Sequence, residues 1–259
     1  MDISRQKQHY TAIHDAYEAH YYDAPSMAYR SRFIYRWLFD GVDLRNAEVA
    51  DLACGSGYNS LALKERFDGV RTVGFDISEP ACAAYRRTTG GDAHIVDLTR
   101  PVATGETFDA AIVVGGLHHC VADLGQTLRN IASMIRAGGH LLMMEPSADF
   151  ALNIVRNKWY AADRYFDAPT EEALSHDALL RQASPYFEKE AVRYFGGLAY
   201  FLILNSLIMR VPLAAKPILW PIVKPVEAAL GNIPLPAMYP CFLAKWKRTS
   251  VPVISGGVA

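Results

Sequence analysis

The stretch Val49-Ala50-Asp51-Leu52-Ala53-Cys54-Gly55-Ser56-Gly57-Tyr58-Asn59 constrains this chain more than any other. Its first part is short and apolar, the pattern of a buried parallel strand. A Gly-x-Gly turn follows, and Tyr58 to Phe67 reads as a helix. Glycine suits such a turn because the backbone bends sharply and a ligand approaches without a Cβ in its way. The helix beyond it offers free N–H groups to a polar ligand. Gly-x-Gly turns are common, so the turn alone points to a nucleotide site only in general terms. Asp51 sits inside the strand, four residues before the first glycine, where an acid is costly without a partner. Ser60 falls where a third dinucleotide-binding glycine belongs, so the Gly-x-Gly-x-x-Gly fingerprint is incomplete.

The segment Asp51-Leu52-Ala53-Cys54-Gly55-Ser56-Gly57 resembles motif I (D-x-G-x-G-x-G) of class I S-adenosylmethionine-dependent methyltransferases, with Ala53 in place of the first glycine. The departure is mild, since a small residue still permits close approach. The resemblance implies that this loop, with Ala53, Gly55, Gly57 and Asn59, wraps the methionine half of the cofactor, with Asp51 near its ammonium group.

Val70 to Asp76 reads as the second strand, and Asp76 follows Gly57 by 19 residues. A spacing of ~20 residues suits a ribose-binding carboxylate at the tip of the neighbouring strand. Ser78 caps a helix from Glu79 to Thr88 with Pro80 near its start. Ala93 to Leu98 reads as a third strand ending in an acid. The resemblance assigns Asp97 to the adenine amine, with the Leu98 N–H facing the ring and Ile77 beside the ribose acid; the alternative is that Asp97 is a turn residue.

Phe108 to Gly116 reads as a fourth strand and resembles the family's motif IV, whose end, here Gly115, passes beside the transferred methyl. Leu117-His118-His119 follows, where open α/β sheets place ligands. His118 and His119 are candidate bases, or else caps of the next helix. No Asp/Asn-Pro-Pro-Tyr follows, which disfavours adenine N6 and glutamine amide acceptors. Asp123 caps a helix carrying Leu124, Leu128, Ile131 and Ile135, ended by Ala137-Gly138-Gly139. His140 to Pro146 is the fifth strand. Glu145 at its end either orients an acceptor or a histidine, or is a solvated strand-end acid. The resemblance spans about Val49 to Pro146.

Outside that span the chain is less specific. Residues 5 to 22 and Ser26 to Phe39 carry aromatics at helical spacing, as a packed pair or as a lid in which Tyr22, Tyr29 and Arg30 reach the methionine carboxylate. Residues 149 to 186 resemble a substrate-side insertion, with Arg156, Arg164 and His176 as anion-binding or ordinary surface residues and a helix from Ser175 to Gln182. From Gly196 to Met209 there is no charge, and prolines 212, 217 and 221 are expected to break a helix before it could span ~20 apolar residues. Buried insertion, lid over an apolar substrate and interfacial segment are the three readings of Phe195 to Val223. Tyr239 to Lys247 reads as the last strand.

The chain has 259 residues, enough for one elaborated domain, with 51% hydrophobic and 20% charged residues. Formal net charge is −1, so no broad footprint for nucleic acid is expected. The four cysteines form no Cys-x-x-Cys pair, so neither metal nor disulfide framework is indicated. Met1 to Lys7 lacks an apolar signal core, which points to a cytoplasmic enzyme, at most peripheral to the inner membrane face through 195–223.

The expected fold is α/β: a Rossmann-like, seven-stranded, mostly parallel sheet with helices on both faces. The expected organisation is an N-terminal helical lid (1–40), a cofactor-binding core (41–148), substrate-side insertions with an apolar helical insertion and the last strands (149–248), and a flexible tail (249–259). The expected activity is methyl transfer from S-adenosylmethionine, with S-adenosylhomocysteine as product, to oxygen of a small-molecule or sugar-like acceptor. The alternatives are a lipid or lipid-linked acceptor at the membrane surface, a non-catalytic S-adenosylmethionine-binding protein, and an NAD(P)-dependent oxidoreductase.

Overall fold

The computed structural model describes residues 18–102, 105–162 and 172–253. Helix α1 (Ala24–Tyr29) continues through a π-helical stretch (Arg30–Tyr35) into α2 (Arg36–Leu38). Strand β1 (Glu48–Leu52), helix α3 (Tyr58–Arg66), strand β2 (Arg71–Asp76), helix α4 (Glu79–Thr89) and strands β3 (Ala93–Ile95) and β4 (Phe108–Val114) follow. Then come α5 (Leu124–Met134), β5 (Ile135–Pro146), α6 (Asn153–Ala162), α7 (His176–Ala183), β6 (Phe187–Phe195), α8 (Lys216–Leu230) and β7 (Cys241–Arg248).

The seven strands form one sheet in the order β3-β2-β1-β4-β5-β7-β6. β1 pairs in parallel with both β2 and β4, and β2 with β3. Leu52 stands opposite Phe75 and Val113, and Asp76 opposite Ile95. The carboxyl ends of four strands are therefore level at one sheet edge. The strand order reverses at β1, with β2 and β3 on one side and β4 on the other. Right-handed crossovers put the helices on either side of the reversal on opposite faces and open a crevice there.

Caps set the helix limits as the sequence predicts. The Ser78 hydroxyl accepts from Ala81 N–H at 3.4 Å, and the Asp123 carboxylate from Gln126 N–H at 2.8 Å. Two boundaries differ from expectation. β3 stops at Ile95 because Asp97 turns the chain, its Oδ1 accepting from both the Thr99 N–H (2.9 Å) and hydroxyl (2.6 Å). α5 ends at Met134, before the glycines, and β5 already runs from Ile135. Gly139 lies inside that strand, and only glycine fits there, since a Cβ would run into the Asp109 carbonyl oxygen on β4.

Two compact units are present. One contains the described residues of Asp43–Met143, His176–Val192 and Ala244–Ala259. Its core is built on fully buried Val49, Leu52, Ile112, Ile131, Leu141 and Trp246. Buried His176, one of the anion-binding candidates, instead accepts from Trp246 Nε1 at 3.2 Å.

The other unit contains the described residues of Met1–Val42, Met144–Ser175 and Arg193–Leu243. The predicted helix over 5–22 falls mostly outside the described residues, as do Arg164 and the end of the tail. Arg156 is buried and donates to the Pro240 (3.0 Å) and Ser147 (2.7 Å) carbonyls, so it is neither a surface residue nor a free anion binder. The apolar stretch divides in two. Tyr200, Ile203, Leu204, Leu207 and Ile208 are buried, whereas Ile218 and Ile222 are exposed. Contrary to the expected break, α8 runs through Pro221 and Pro225, which lie four apart on its exposed face, away from its packed side.

Two buried charges hold α8 in place. Lys216 Nζ donates at 2.7 Å to the His20 carbonyl, Asp23 Oδ1 and Ser26 Oγ. Glu227 accepts from the Tyr29 hydroxyl (2.7 Å) and from the Gly197 (2.8 Å) and Ala199 (2.9 Å) N–H groups. Removing one partner of such a set leaves the rest buried and unpaired. Lys216→Met is expected to lower the free energy of unfolding by about 3 kcal/mol, read as a lower denaturant midpoint.

Candidate active site

The site begins with Asp51, which has no exposed surface at the end of β1. Its Oδ2 accepts from the Ser60 hydroxyl (2.8 Å) and N–H (3.2 Å), and its Oδ1 from Asn59 Nδ2 (3.2 Å). These two residues open helix α3, so the strand and the helix that follows it are tied across the glycine turn. Burial pushes the Asp51 carboxyl up to about 7 against the pull of those three donors. Ser60 Oγ also lies 2.7 Å from the Tyr85 hydroxyl, which is 3.0 Å from Thr72 Oγ1. Burial raises the Tyr85 hydroxyl to about 12. Ser60, at the position of the missing third glycine, is thus the hub of a buried polar chain. Tyr85 and Thr72 carry no spacing signal that would mark them in advance.

The turn itself fits only small residues. Gly57 has φ +86°, and a Cβ on it would meet Thr89 Cγ2 at 2.5 Å and Tyr85 Cδ2 at 2.9 Å. Ala53 adopts φ +49°, the left-handed region that favours glycine. Its Cβ faces Gly116, where an added Cβ would lie 2.7 Å away. At Gly55, by contrast, a Cβ would meet nothing within 4 Å, so that face of the loop is open.

Asp76 ends β2 and braces the same loop: its Oδ2 accepts from Gly55 N–H at 3.0 Å and its Oδ1 from Ser78 N–H at 2.8 Å. Burial raises its carboxyl, and the Ser78, Gly55 and Ile77 N–H groups oppose that rise. Asp97 lies just past β3, paired through Oδ2 with Arg100 Nε at 3.2 Å, and Leu98 is buried beside it. Gly115 (φ +72°) follows β4, with His118 Cε1 3.9 Å from where its Cβ would be. His118 and His119 are half-buried in a single 3₁₀ turn, their ring centroids 3.8 Å apart. Asp51, Ala53, Gly55, Gly57, Asn59, Asp76, Ile77, Asp97, Leu98, Gly115 and both histidines therefore gather in one unit, along the level strand ends.

The remaining predicted residues belong to the other unit. Tyr29 is fully buried and donates to Glu227 at 2.7 Å. Arg30 is buried, its Nε donating to the Tyr21 carbonyl at 3.3 Å and its guanidinium 4.7 Å above the Tyr22 ring. Glu145 has no exposed surface, which replaces the solvated strand-end reading with a buried, partnered carboxylate. Among the described residues no three metal-ligating side chains gather.

Two outcomes follow from this geometry. Relieving the left-handed strain, Ala53→Gly should raise the free energy of unfolding by about 1 kcal/mol, read by chemical denaturation. Because the folded pKa of Asp51 lies above its unfolded value of ~3.9, its neutral form favours folding at low pH. That contribution is lost as pH rises toward about 7, so the ligand-free protein should lose stability over this window. Asp51→Asn should flatten the slope in thermal denaturation series.

Residues 50–141 match the family model described as "Methyltransferase domain". The chain is 32% identical over 120 residues to the demethylmenaquinone methyltransferase of Thermus thermophilus, covering 42% of this chain and 54% of that protein. It is 28% identical over 147 residues to the glycine N-methyltransferase of Mus musculus, covering 47% of this chain and 50% of that protein. The matches thus span about half the length of these relatives. Among solved structures, the N-methyltransferase NodS of Bradyrhizobium japonicum, in complex with S-adenosylhomocysteine, superposes with a TM-score of 0.56 at 13% identity, covering 90% of this chain and 97% of NodS. The chain accordingly has the Rossmann-like methyltransferase fold, and its residues 50–141 match the methyltransferase-domain family model.

Proposed function

We propose that the protein transfers a methyl group from S-adenosylmethionine to oxygen of a small-molecule or sugar-like acceptor. The observation that supports this most is the alignment of three acids, Asp51, Asp76 and Asp97, beside an open glycine turn at one sheet edge. The residues present suit the cofactor's groups. Asp51 is a buried carboxylate that a nearby cation would keep ionised. Asp76 is half-buried and retains lone pairs after accepting from the Gly55, Ser78 and Ile77 N–H groups, so it can take ribose hydroxyls. Asp97 serves the adenine amine, and Gly55 leaves room for close approach.

The cofactor supplies an already activated methyl on a sulfonium, so the protein's part is chiefly positioning in line with the acceptor. A hydroxyl acceptor needs its proton removed during transfer, because its own pKa is far above neutral. His119 or His118 takes that proton. The acceptor chemistry is not fixed by the relatives, whose names span an amino acid nitrogen and a quinone. An exposed apolar surface described below supports a second reading, in which the acceptor is a lipid.

Calorimetric titration with S-adenosylhomocysteine, and separately with NADH, tests the cofactor. Micromolar binding of the first is expected, weakened at least about 100-fold by Asp76→Ala; binding of NADH alone would overturn the proposal. For the base, His119→Ala or His118→Ala should reduce kcat at least about 100-fold while leaving S-adenosylhomocysteine affinity intact. Unchanged turnover in both would remove the histidines from the chemistry.

A further inference from the structure

Helix α8 is built inside out. Its inner stripe, Lys216, Trp220, Val223 and Glu227, carries two buried charges. Its opposite stripe, Ile218, Ile222, Pro225 and Ala229, is exposed, with Ile218 69% and Ile222 63% accessible. A water-facing helix normally shows the reverse pattern. Rotating α8 to hide the isoleucines would strip Lys216 and Glu227 of their buried partners, so this orientation is fixed from within its own unit.

The apolar surface continues beyond the helix. Leu213, Leu235 and Met238 are exposed, and the Ala151 N–H donates to the Ala237 carbonyl at 2.8 Å. That bond brings exposed Leu152 and the start of α6, with exposed Ile154 and Val155, to the same region. Between residues 210 and 238 the exposed charged side chains are Arg210 and Lys224, both cationic. Lys158 adds another cation on α6, and Asp149 is an acid at the margin, accepting from the Tyr194 hydroxyl at 3.2 Å.

We infer that this face lies on an anionic lipid bilayer, with the isoleucine stripe at the headgroup–acyl boundary and Arg210, Lys224 and Lys158 at the headgroups. A protein partner would need hydrogen-bonding groups around an apolar centre. Here Lys224 and Asn232 are the exposed polar side chains from residue 211 to 238, whereas a bilayer asks for apolar area and cations. The helix lies on the surface rather than crossing it: α8 has 15 residues, and no described helix is long and apolar enough to span a membrane. The inference stands apart from methyl transfer and does not require it.

The test is flotation of the full chain with phosphatidylcholine vesicles, with and without phosphatidylglycerol. Binding is expected with phosphatidylglycerol and is expected to weaken with salt. Ile218→Asp with Ile222→Asp should reduce it at least about tenfold without changing the thermal midpoint, since both side chains are exposed. Lys224→Glu should reduce it selectively on anionic vesicles. Failure of the unaltered protein to float with anionic vesicles overturns the inference, as does equal binding by the double variant. A self-association in light scattering that the double variant abolishes, with no vesicle binding, would make this face a contact between copies instead.

Discussion

A carboxylate with no exposed surface at the end of a central strand must be satisfied by its own surroundings, and Asp51 is satisfied by the helix that follows the glycine turn. That constraint sets the geometry of the turn. Ser60 and Asn59 must begin α3 within reach of β1, so the five residues between Leu52 and Tyr58 have to fold back sharply. Ala53, Gly55 and Gly57 all take positive φ to do it. Tyr85 closes the arrangement from α4, and it fits because Gly57 and Gly74 have no Cβ; one on Gly74 would lie 2.9 Å from the Tyr85 ring. Asp76 then fixes the outer end of the loop through the Gly55 N–H. The proposed binding surface is thus braced by hydrogen bonds from within the protein, as positioning chemistry requires.

The second unit uses buried charge in another way. Lys216 and Glu227 each have three hydrogen-bonding partners drawn from distant parts of the chain, and these fix which side of α8 faces inward. Gly197 is needed for this as well, since a Cβ there would meet Glu227 Oε2 at 2.9 Å. The apolar outer stripe is therefore a consequence of polar anchoring within, and its exposure is not a failure of packing. Removing a charge from such a set costs more than an apolar pair in the same place would, because the partners stay buried.

Much of the α/β half was legible from residue order. A short apolar run, a Gly-x-Gly turn and acids at strand ends are local signals, and parallel strands buried on both faces leave continuous apolar runs. Even there, boundaries moved where side chains competed with the backbone. Asp97 captured the Thr99 N–H and ended β3, and β5 begins at Ile135, before the glycines, with Gly139 fitting against β4 because it has no Cβ. Ser60 was visible only as a missing glycine; its role appears when Tyr85, 25 residues later, is brought to its hydroxyl.

By itself, then, the sequence determined the class of fold, the glycine turn and the spacing of the acids, since each depends on neighbours a few residues away. Tertiary structure decided which groups are buried and what they bond. Glu145, equally readable as solvated, has no exposed surface, and Arg156 is spent on backbone carbonyls. The apolar run after Phe195 became a packed half and an exposed half. That division was unreadable in advance because two charges inside α8, rather than its hydrophobic residues, choose the face turned inward, and their partners lie as far as 196 residues away in the chain.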